Sequence, residues 1–317
     1  MPYVSVPDLP REALDRAADA RWTAIVDARP ELQPAVALQR RLIAVVIELG
    51  QVIGRARLPR LSLPARYLAA KLARGVPALS AEPIPLPISA LAPALLSLCA
   101  ELALGGAGET ADHIGAALEE GHLDAGALLG ASLARDQATI RALAVHRSLA
   151  PDLVWLVAEL TVSPFAHALQ RALFSPHDPA HRAPDAPDDP LSTALDAWSH
   201  GYCAACGSWP ALAEVVEGHR TLRCSFCAAA WEMKVYSCVY CGESGEPFVT
   251  AAPDEERKDR RIELCGSCTG YLKTVDLDSL SPFPLLALAD LETMDLDVAA
   301  MEHGYARPVL KEFGVKR

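Results

Sequence analysis

The sequence predicts an α+β protein: an N-terminal all-α helical domain, then two small four-cysteine metal modules, then a C-terminal helix. Three observations carry this. Apolar residues recur at helical spacing from about Asp8 to Phe174. A run rich in proline and aspartate, Ser175 to Pro190, then breaks the pattern. Beyond it, eight of the nine cysteines form four Cys-x-x-Cys pairs among short β-like segments. The implied division is residues 1–174 as the helical domain, 175–197 as linker and lead-in helix, 198–275 as the metal modules, and 276–317 as C-terminal helix and tail.

In the helical part, Leu38, Leu42, Val45, Val46 and Leu49 share one helix face. Thr110 can cap a helix entering Ala111–Leu118, and Gly126 to Ala134 is small and apolar, suited to close packing. Pro151-Asp152 opens a helix whose stripe is Leu153, Leu156, Val157 and Leu160, with Trp155 beside it. Breaks at Arg29-Pro30, Leu58-Pro59, Pro83-Pro85-Pro87 and Gly105-Gly106 leave seven to nine helices. In the cysteine-rich part, Leu212–Val216, Arg220–Arg223, Trp231–Tyr236, Pro247–Ala251 and Arg261–Leu264 are strand candidates. In the tail, Leu288, Leu291, Met294, Val298 and Met301 make a stripe that Gly304 ends.

Composition bounds the function. With 51% apolar but only 6% aromatic residues, the core is built from Ala, Leu and Val, which leans helical. A net charge of -11 repels nucleic acid unless a basic patch overrides it. Residues 198–275 carry eight Lys/Arg against ten Asp/Glu, and Asp254, Glu255, Glu256 and Asp259 interleave the basic cluster Arg257, Lys258, Arg260 and Arg261. No nucleic-acid partner is expected. The apolar segment Leu86 to Leu104 is interrupted by Pro87, Pro93, Ser97 and Glu101 and reads as a buried helix rather than a membrane span. Met1 to Asp8 shows no secretory pattern, so a cytoplasmic address with reduced thiols is expected.

Reduced cysteines at this spacing are metal ligands. Two residues between two cysteines let one tight turn aim both sulfurs at one ion, and two such turns make a tetrahedron. Cys203, Cys206, Cys224 and Cys227 are expected to form one site, and Cys238, Cys241, Cys265 and Cys268 the other. Each gap then holds two short strands and a turn, and each site opens as Cys-x-x-Cys-Gly, with Gly207 and Gly242. A ribbon joining Cys224/Cys227 to Cys238/Cys241 is the rival pairing. Four thiolates leave no open position for hydrolytic chemistry. Spacing favours zinc but does not distinguish it from iron.

No phosphate loop, Gly-x-Ser-x-Gly or His-Glu-x-x-His is present, so no enzyme, no catalytic residue and no small-molecule substrate are expected. His113 and His122, near Glu119, Glu120 and Asp124, read as a solvated helix end. His146, His167 and the loop residues His177 and His181 read as ordinary side chains, Cys99 as a core residue, and Trp231 as packing over a ribbon.

The run Cys203-Ala-Ala-Cys-Gly-Ser-Trp-Pro, then Gly218-His-Arg-Thr-Leu-Arg-Cys-Ser-Phe-Cys, Trp231 and Cys238-x-x-Cys241, resembles the formate dehydrogenase accessory protein FdhE family. So do Cys265-Gly-Ser-Cys-Thr-Gly-Tyr-Leu-Lys273, Leu288-Ala-Asp-Leu-Glu-Thr-Met-Asp-Leu-Asp297 and Gly304-Tyr-Ala-Arg307. Departures are Ala204 where the family has proline, Ala228-Ala-Ala230 before Trp231, and Val235 where an arginine is expected. The resemblance implies a cytoplasmic, non-catalytic helper that associates with the molybdenum-containing catalytic subunit of formate dehydrogenase. It also implies two rubredoxin-like modules with iron as the metal, zinc being the alternative. A rubredoxin-like electron carrier and a zinc-ribbon nucleic-acid binder are the other readings.

Overall fold

The computed structural model describes residues 3–177, 189–252 and 259–308, and the chain forms two compact units. One gathers Glu12–Leu61 and Glu82–Leu169; the other gathers Met1–Arg11, Ser62–Ala81 and Gln170–Arg317. The units therefore interleave along the chain. The acidic and basic loop residues 253–258, which include Arg257 and Lys258, lie outside the described residues, as do 178–188 with His181.

Up to Phe174 the described residues hold eight helices: α1 (Arg11–Ala28), α2 (Gln33–Arg55), α3 (Ala65–Leu72), α4 (Ile88–Leu102), α5 (Gly108–Glu119), α6 (Ala125–Leu133), α7 (Gln137–His146) and α8 (Pro151–Phe174). All but α3 and the last turn of α8, from Gln170, build the helical unit. Within it α2 packs on α4, and Gly105 lies close against α2: a Cβ there would stand 2.3 Å from Leu38 Cδ1, so that side chain would have to turn aside. The expected α2 face is corrected, because the buried set is Val36, Ile43, Val46, Ile47, Leu49 and Ile53. Apolar residues recur on nearly every turn of α2, so periodicity alone leaves its inward face open. Thr110 is not a cap: α5 begins at Gly108, after a wide turn at Ala103–Ala107 in which Gly106 sits at φ 113°. The stripe expected on α8 is also corrected. Val154, Val157, Ala158, Thr161, Val162, Phe165 and Ala166 are buried, while Leu156 is exposed. These positions recur at i, i+3, i+4, i+7 and i+8 and make one face, turned away from the expected stripe because Leu153, Leu156 and Leu160 offer apolar side chains on the neighbouring side.

Two stretches, Ile88–Glu119 and Pro151–Phe174, are long and apolar enough to cross a bilayer. The turn at Ala103–Ala107 divides the first. Its longer part, α4, has 15 residues, about 22 Å against a hydrocarbon core of about 30 Å.

The second unit is organised by a seven-stranded sheet of order β1-β4-β3-β2-β7-β6-β5. The strands are β1 (Tyr3–Val4), β2 (Pro210–Val216), β3 (His219–Cys224), β4 (Ala230–Trp231), β5 (Phe248–Ala251), β6 (Arg260–Cys265) and β7 (Tyr271–Asp276). Strands β4-β3-β2 and β7-β6-β5 are the same antiparallel triplet used twice. They join through the parallel pair β2–β7, with Ala213 opposite Thr274. The third expected strand shrinks to Ala230–Trp231, and β7 was not expected. In β7 the residues Tyr271 to Val275 are all buried, so it lacks the alternation that marks a half-exposed strand.

Helices α9 (Pro190–Ala197), α10 (Leu286–Glu292) and α11 (Met294–Glu302) complete this unit. The tail stripe is corrected: the chain breaks at Thr293, Val298 and Met301 are exposed, and Leu288, Leu296 and Ala300 are buried. A helical period does not carry through the break. Leu286 and Ala289 pack on Leu212 and Val275, and Leu296 and Ala300 pack on Ile262 and Tyr271.

Charges lock these layers. The side chain of Lys273, fully buried, reaches Asp290 and Asp297, each at 2.6 Å. Arg307 donates to Asp290 and to the Ala211 carbonyl, and the Tyr271 hydroxyl donates to Asp297 at 2.7 Å. Arg223 pairs with Glu214, both side chains 0% exposed, and donates to the Ser281 carbonyl at 2.7 Å. The Ser281 N–H donates back to Glu214. Removing one member of such a pair strands a buried charge, a loss of about 3–5 kcal/mol. Arg223→Met should lower urea-unfolding stability by that amount, and adding Glu214→Leu should restore most of it. An unchanged midpoint for the single variant would show that the pair does not hold the layer.

Candidate metal centres

Each Cys-x-x-Cys pair is a tight turn with repeated hydrogen bonds. The Gly207 N–H donates to the Cys203 carbonyl and the Gly242 N–H to that of Cys238, both at 2.9 Å. The Cys203, Cys224, Cys238 and Cys265 N–H groups close the loops onto Ser208, Ala229, Glu243 and Gly270. In every turn the residue after the second cysteine is left-handed: Gly207 at φ 84°, Ala228 at 53°, Gly242 at 81° and Thr269 at 54°. The turn demands that backbone whatever the side chain, and glycine meets it without strain at two of the four positions.

The hairpins β2–β3 and β5–β6 fold each opening turn onto the next one. Cys203, Cys206, Cys224 and Cys227 meet, and Cys238, Cys241, Cys265 and Cys268 meet; within each group all sulfurs lie within 4.8 Å of one another. Neighbouring pairs thus share a cluster, and the rival ribbon is excluded. Individual separations are 3.6 Å for Cys203–Cys227 and 3.4 Å for Cys206–Cys224. They are 3.6 Å for both Cys238–Cys268 and Cys241–Cys265. A disulfide has its sulfurs about 2.05 Å apart, whereas a tetrahedron with bonds of about 2.3 Å has edges of about 3.8 Å. The sulfurs fit the tetrahedron.

Their surroundings fit as well. N–H groups point at the sulfurs: Ala205 to Cys203 at 3.3 Å and Phe226 to Cys224 at 3.4 Å. Burial pushes the Cys203 and Cys227 thiols well above the ordinary range, and that of Cys268 up to about 11. Four sulfurs in that setting become thiolates beside a cation, which supplies the missing charge. Each cluster can therefore hold one metal ion.

The remaining candidates fall elsewhere. Asp124 caps α6 through the Ala127 N–H at 2.6 Å, and exposed His122 lies 3.0 Å from Glu120. Cys99 is buried in α4, and burial raises its thiol to about 11. His146 is exposed and His167 half-buried. Trp231 is 4% exposed and so is closed to a stacking base. Arg260 and Arg261 are engaged by Asp295 and Asp276. Sequence reading missed an aromatic cluster beside the thiolates. Trp198, His200, Tyr202 and Trp209 pack in series, and Trp209 meets Tyr240, inside the third Cys-x-x-Cys pair, at 5.1 Å between ring centres. Its one sequence signal was that Tyr202 and Trp209 flank the first pair.

No family profile matches the chain. Similar proteins are FdhE homologues of Aquifex aeolicus, 31% identical over 126 residues, Pseudomonas putida, 36% over 128, and Haemophilus influenzae, 33% over 117. These matches cover 38%, 37% and 35% of this chain, and 44%, 40% and 38% of those proteins. The chain thus spans about two fifths of the length of these relatives. The crystal structure of the FdhE protein from Pseudomonas aeruginosa is similar over 97% of both chains, with a TM-score of 0.58 at 23% identity. The chain resembles the FdhE family. It shares the fold of FdhE, and its two four-cysteine clusters lie in the sheet-bearing unit.

Left-handed backbone costs a β-branched residue about 1–2 kcal/mol, and glycine returns about 0.5–1 kcal/mol of that in chain entropy. Thr269→Gly should therefore raise stability by about 0.5–1 kcal/mol in urea unfolding. Gly242→Val should lower it and weaken metal retention in a chelator titration. A stabilising Gly242→Val would contradict the turn geometry.

Proposed function

We propose that this protein is a cytoplasmic, non-catalytic accessory factor for formate dehydrogenase that presents a metal-stiffened docking surface to the catalytic subunit. The observation that carries the reading is the pair of closed clusters, in which cysteine supplies all four ligands and leaves no position for a substrate. Cys203, Cys206, Cys224, Cys227, Cys238, Cys241, Cys265 and Cys268 are the proposed ligands. The resemblance to FdhE favours iron and supplies the partner; zinc fits the same sulfurs. In this reading the metals fix the ribbon surface and the helical unit enlarges it. Neither nucleic acid, a small-molecule substrate nor a membrane span has a part in it.

An electron-transfer role is the second reading. It is favoured by the solvent access of Cys241 and by the aromatic contact between Trp209 and Tyr240. A reversible one-electron wave from the iron-loaded protein, with reduction by a physiological donor, would establish it.

Metal analysis should find two ions per chain. Cys224→Ser should lose one and keep the other, and Cys203→Ser and Cys265→Ser should empty different sites. Affinity capture from anaerobic cells with active formate dehydrogenase should recover its catalytic subunit, and Cys203→Ser should not. Full dehydrogenase activity supported by metal-free protein would refute the docking role.

A further inference from the structure

The two clusters have the same ligands on the same turns, so their sulfur chemistry differs through access. In the first cluster Cys203, Cys206, Cys224 and Cys227 are 1%, 1%, 0% and 0% exposed. Its opening turn is covered by backbone: the Ala78 and Leu79 N–H groups donate to the Ala204 and Ala205 carbonyls at 2.9 and 2.8 Å. Tyr3, Phe174, Trp198 and Trp231 close over it and leave a cavity of about 10 Å³, room for about one water. Packed backbone and aromatic rings thus screen those sulfurs from oxidants in solution. In the second cluster Cys241 is exposed and Cys268 half-buried, and Gly266, Ser267 and Thr269 of the closing turn are exposed.

We propose that the second cluster is a thiol-oxidation site: hydrogen peroxide is reduced at the Cys241 thiolate, a Cys241–Cys265 disulfide forms, and the metal ion leaves while the first cluster keeps its own. The proposal rests on the metal reading above. The Cys241 thiolate attacks one peroxide oxygen, the O–O bond breaks, the other oxygen departs as hydroxide, and Cys241 is left as a sulfenic acid. The Cys265 sulfur, 3.6 Å away, attacks that sulfur. The S–S bond forms and a second hydroxide departs. Two electrons pass from the sulfurs to the peroxide, and the metal ion keeps its charge. Closing to about 2.05 Å is a small movement for a sulfur on an exposed turn. Cys238 and Cys268 then offer only two ligands, too few for a structural site. The ligand set of each cluster comes from its own module, so the ejection leaves the first tetrahedron complete.

The test uses the full chain loaded with zinc and shown to carry two ions. Hydrogen peroxide is added in stoichiometric steps, zinc release is followed with a chromogenic chelator, and cysteine peptides are mapped by alkylation and mass spectrometry. The expected result is release that stops at one zinc per chain, one peroxide consumed per zinc, and a Cys241–Cys265 disulfide. Cys241→Ser should slow the release on the order of tenfold, since reaction follows thiolate exposure. If that variant fails to hold its second zinc, N-ethylmaleimide footprinting of the wild type decides. Cys241 labelled first supports the proposal, and Cys203 or Cys224 labelled first overturns it. Two zinc ions lost together also overturn it. A chain that takes up no metal overturns the metal reading and this proposal with it.

Discussion

Four sulfurs held within 4.8 Å of one another, mostly out of water, are the constraint on which the sheet-bearing unit depends. As bare thiolates so close together they repel one another. A divalent cation removes that repulsion, and its binding energy becomes folding energy. The strands serve that geometry. A hairpin carries one turn back to the next, and Cys224 and Cys265 stand at the ends of β3 and β6, the returning strands. The left-handed residues at the four turns are a consequence: the chain accepts Ala228 and Thr269 in a backbone they disfavour because the sulfurs must converge.

Metal modules of this size bury little apolar surface, and the second stabilising device here is charge. Lys273, Glu214 and Arg223 lie in the sheet with essentially no solvent access, each matched by a partner from elsewhere in the unit. Such pairs add less than an apolar core of equal volume, because desolvation offsets much of the attraction. What they fix is register. Asp290 and Asp297 lie on the two tail helices, and one Lys273 satisfies both, so α10 and α11 dock on β7 in one arrangement. The residues that carry the family resemblance in the tail, Asp290, Asp297 and Arg307, are therefore structural. They tie the tail to the sheet that holds the sulfurs.

The cysteine spacing made the four turns readable, because a two-residue gap restricts a chain geometrically without reference to distant contacts; which turns share a cluster rested on the strands between them and left a rival open. Helix number and most breaks were readable for a similar local reason: proline and glycine act where they stand. The faces of α2 and α8 were not, since nearly every turn offers an apolar side chain and the choice is made by what packs against it. The strand β7 escaped because both its faces are buried, and β1 because two residues carry no period. Neither Tyr3–Val4 joining β4 nor Ala78 and Leu79 capping the first turn had a local signal, since both contacts join segments far apart in the chain.

The sheet order contains one module written twice, and the joint between the copies explains how they can differ. Each triplet ends in a strand edge, and β2 of the first meets β7 of the second in parallel. The outer edge of the first triplet is covered by β1, whereas β5 stands at the free end of the sheet. Cover thus falls on one side. Around the first cluster it comes from the N-terminal residues, the turn after α3 and the end of α8. Around the second it comes from the tail helices, which pack on β6 and β7 and leave the closing turn open. Trp209 crosses the joint, following the first cluster's opening turn and packing against Tyr240 in the second's. The Tyr240 hydroxyl in turn donates to the Tyr271 carbonyl on β7. A change in the second cluster that moves its opening turn must therefore move an aromatic ring packed against the first module. A sheltered site and an accessible one, built to a single plan, are in mechanical contact through that ring.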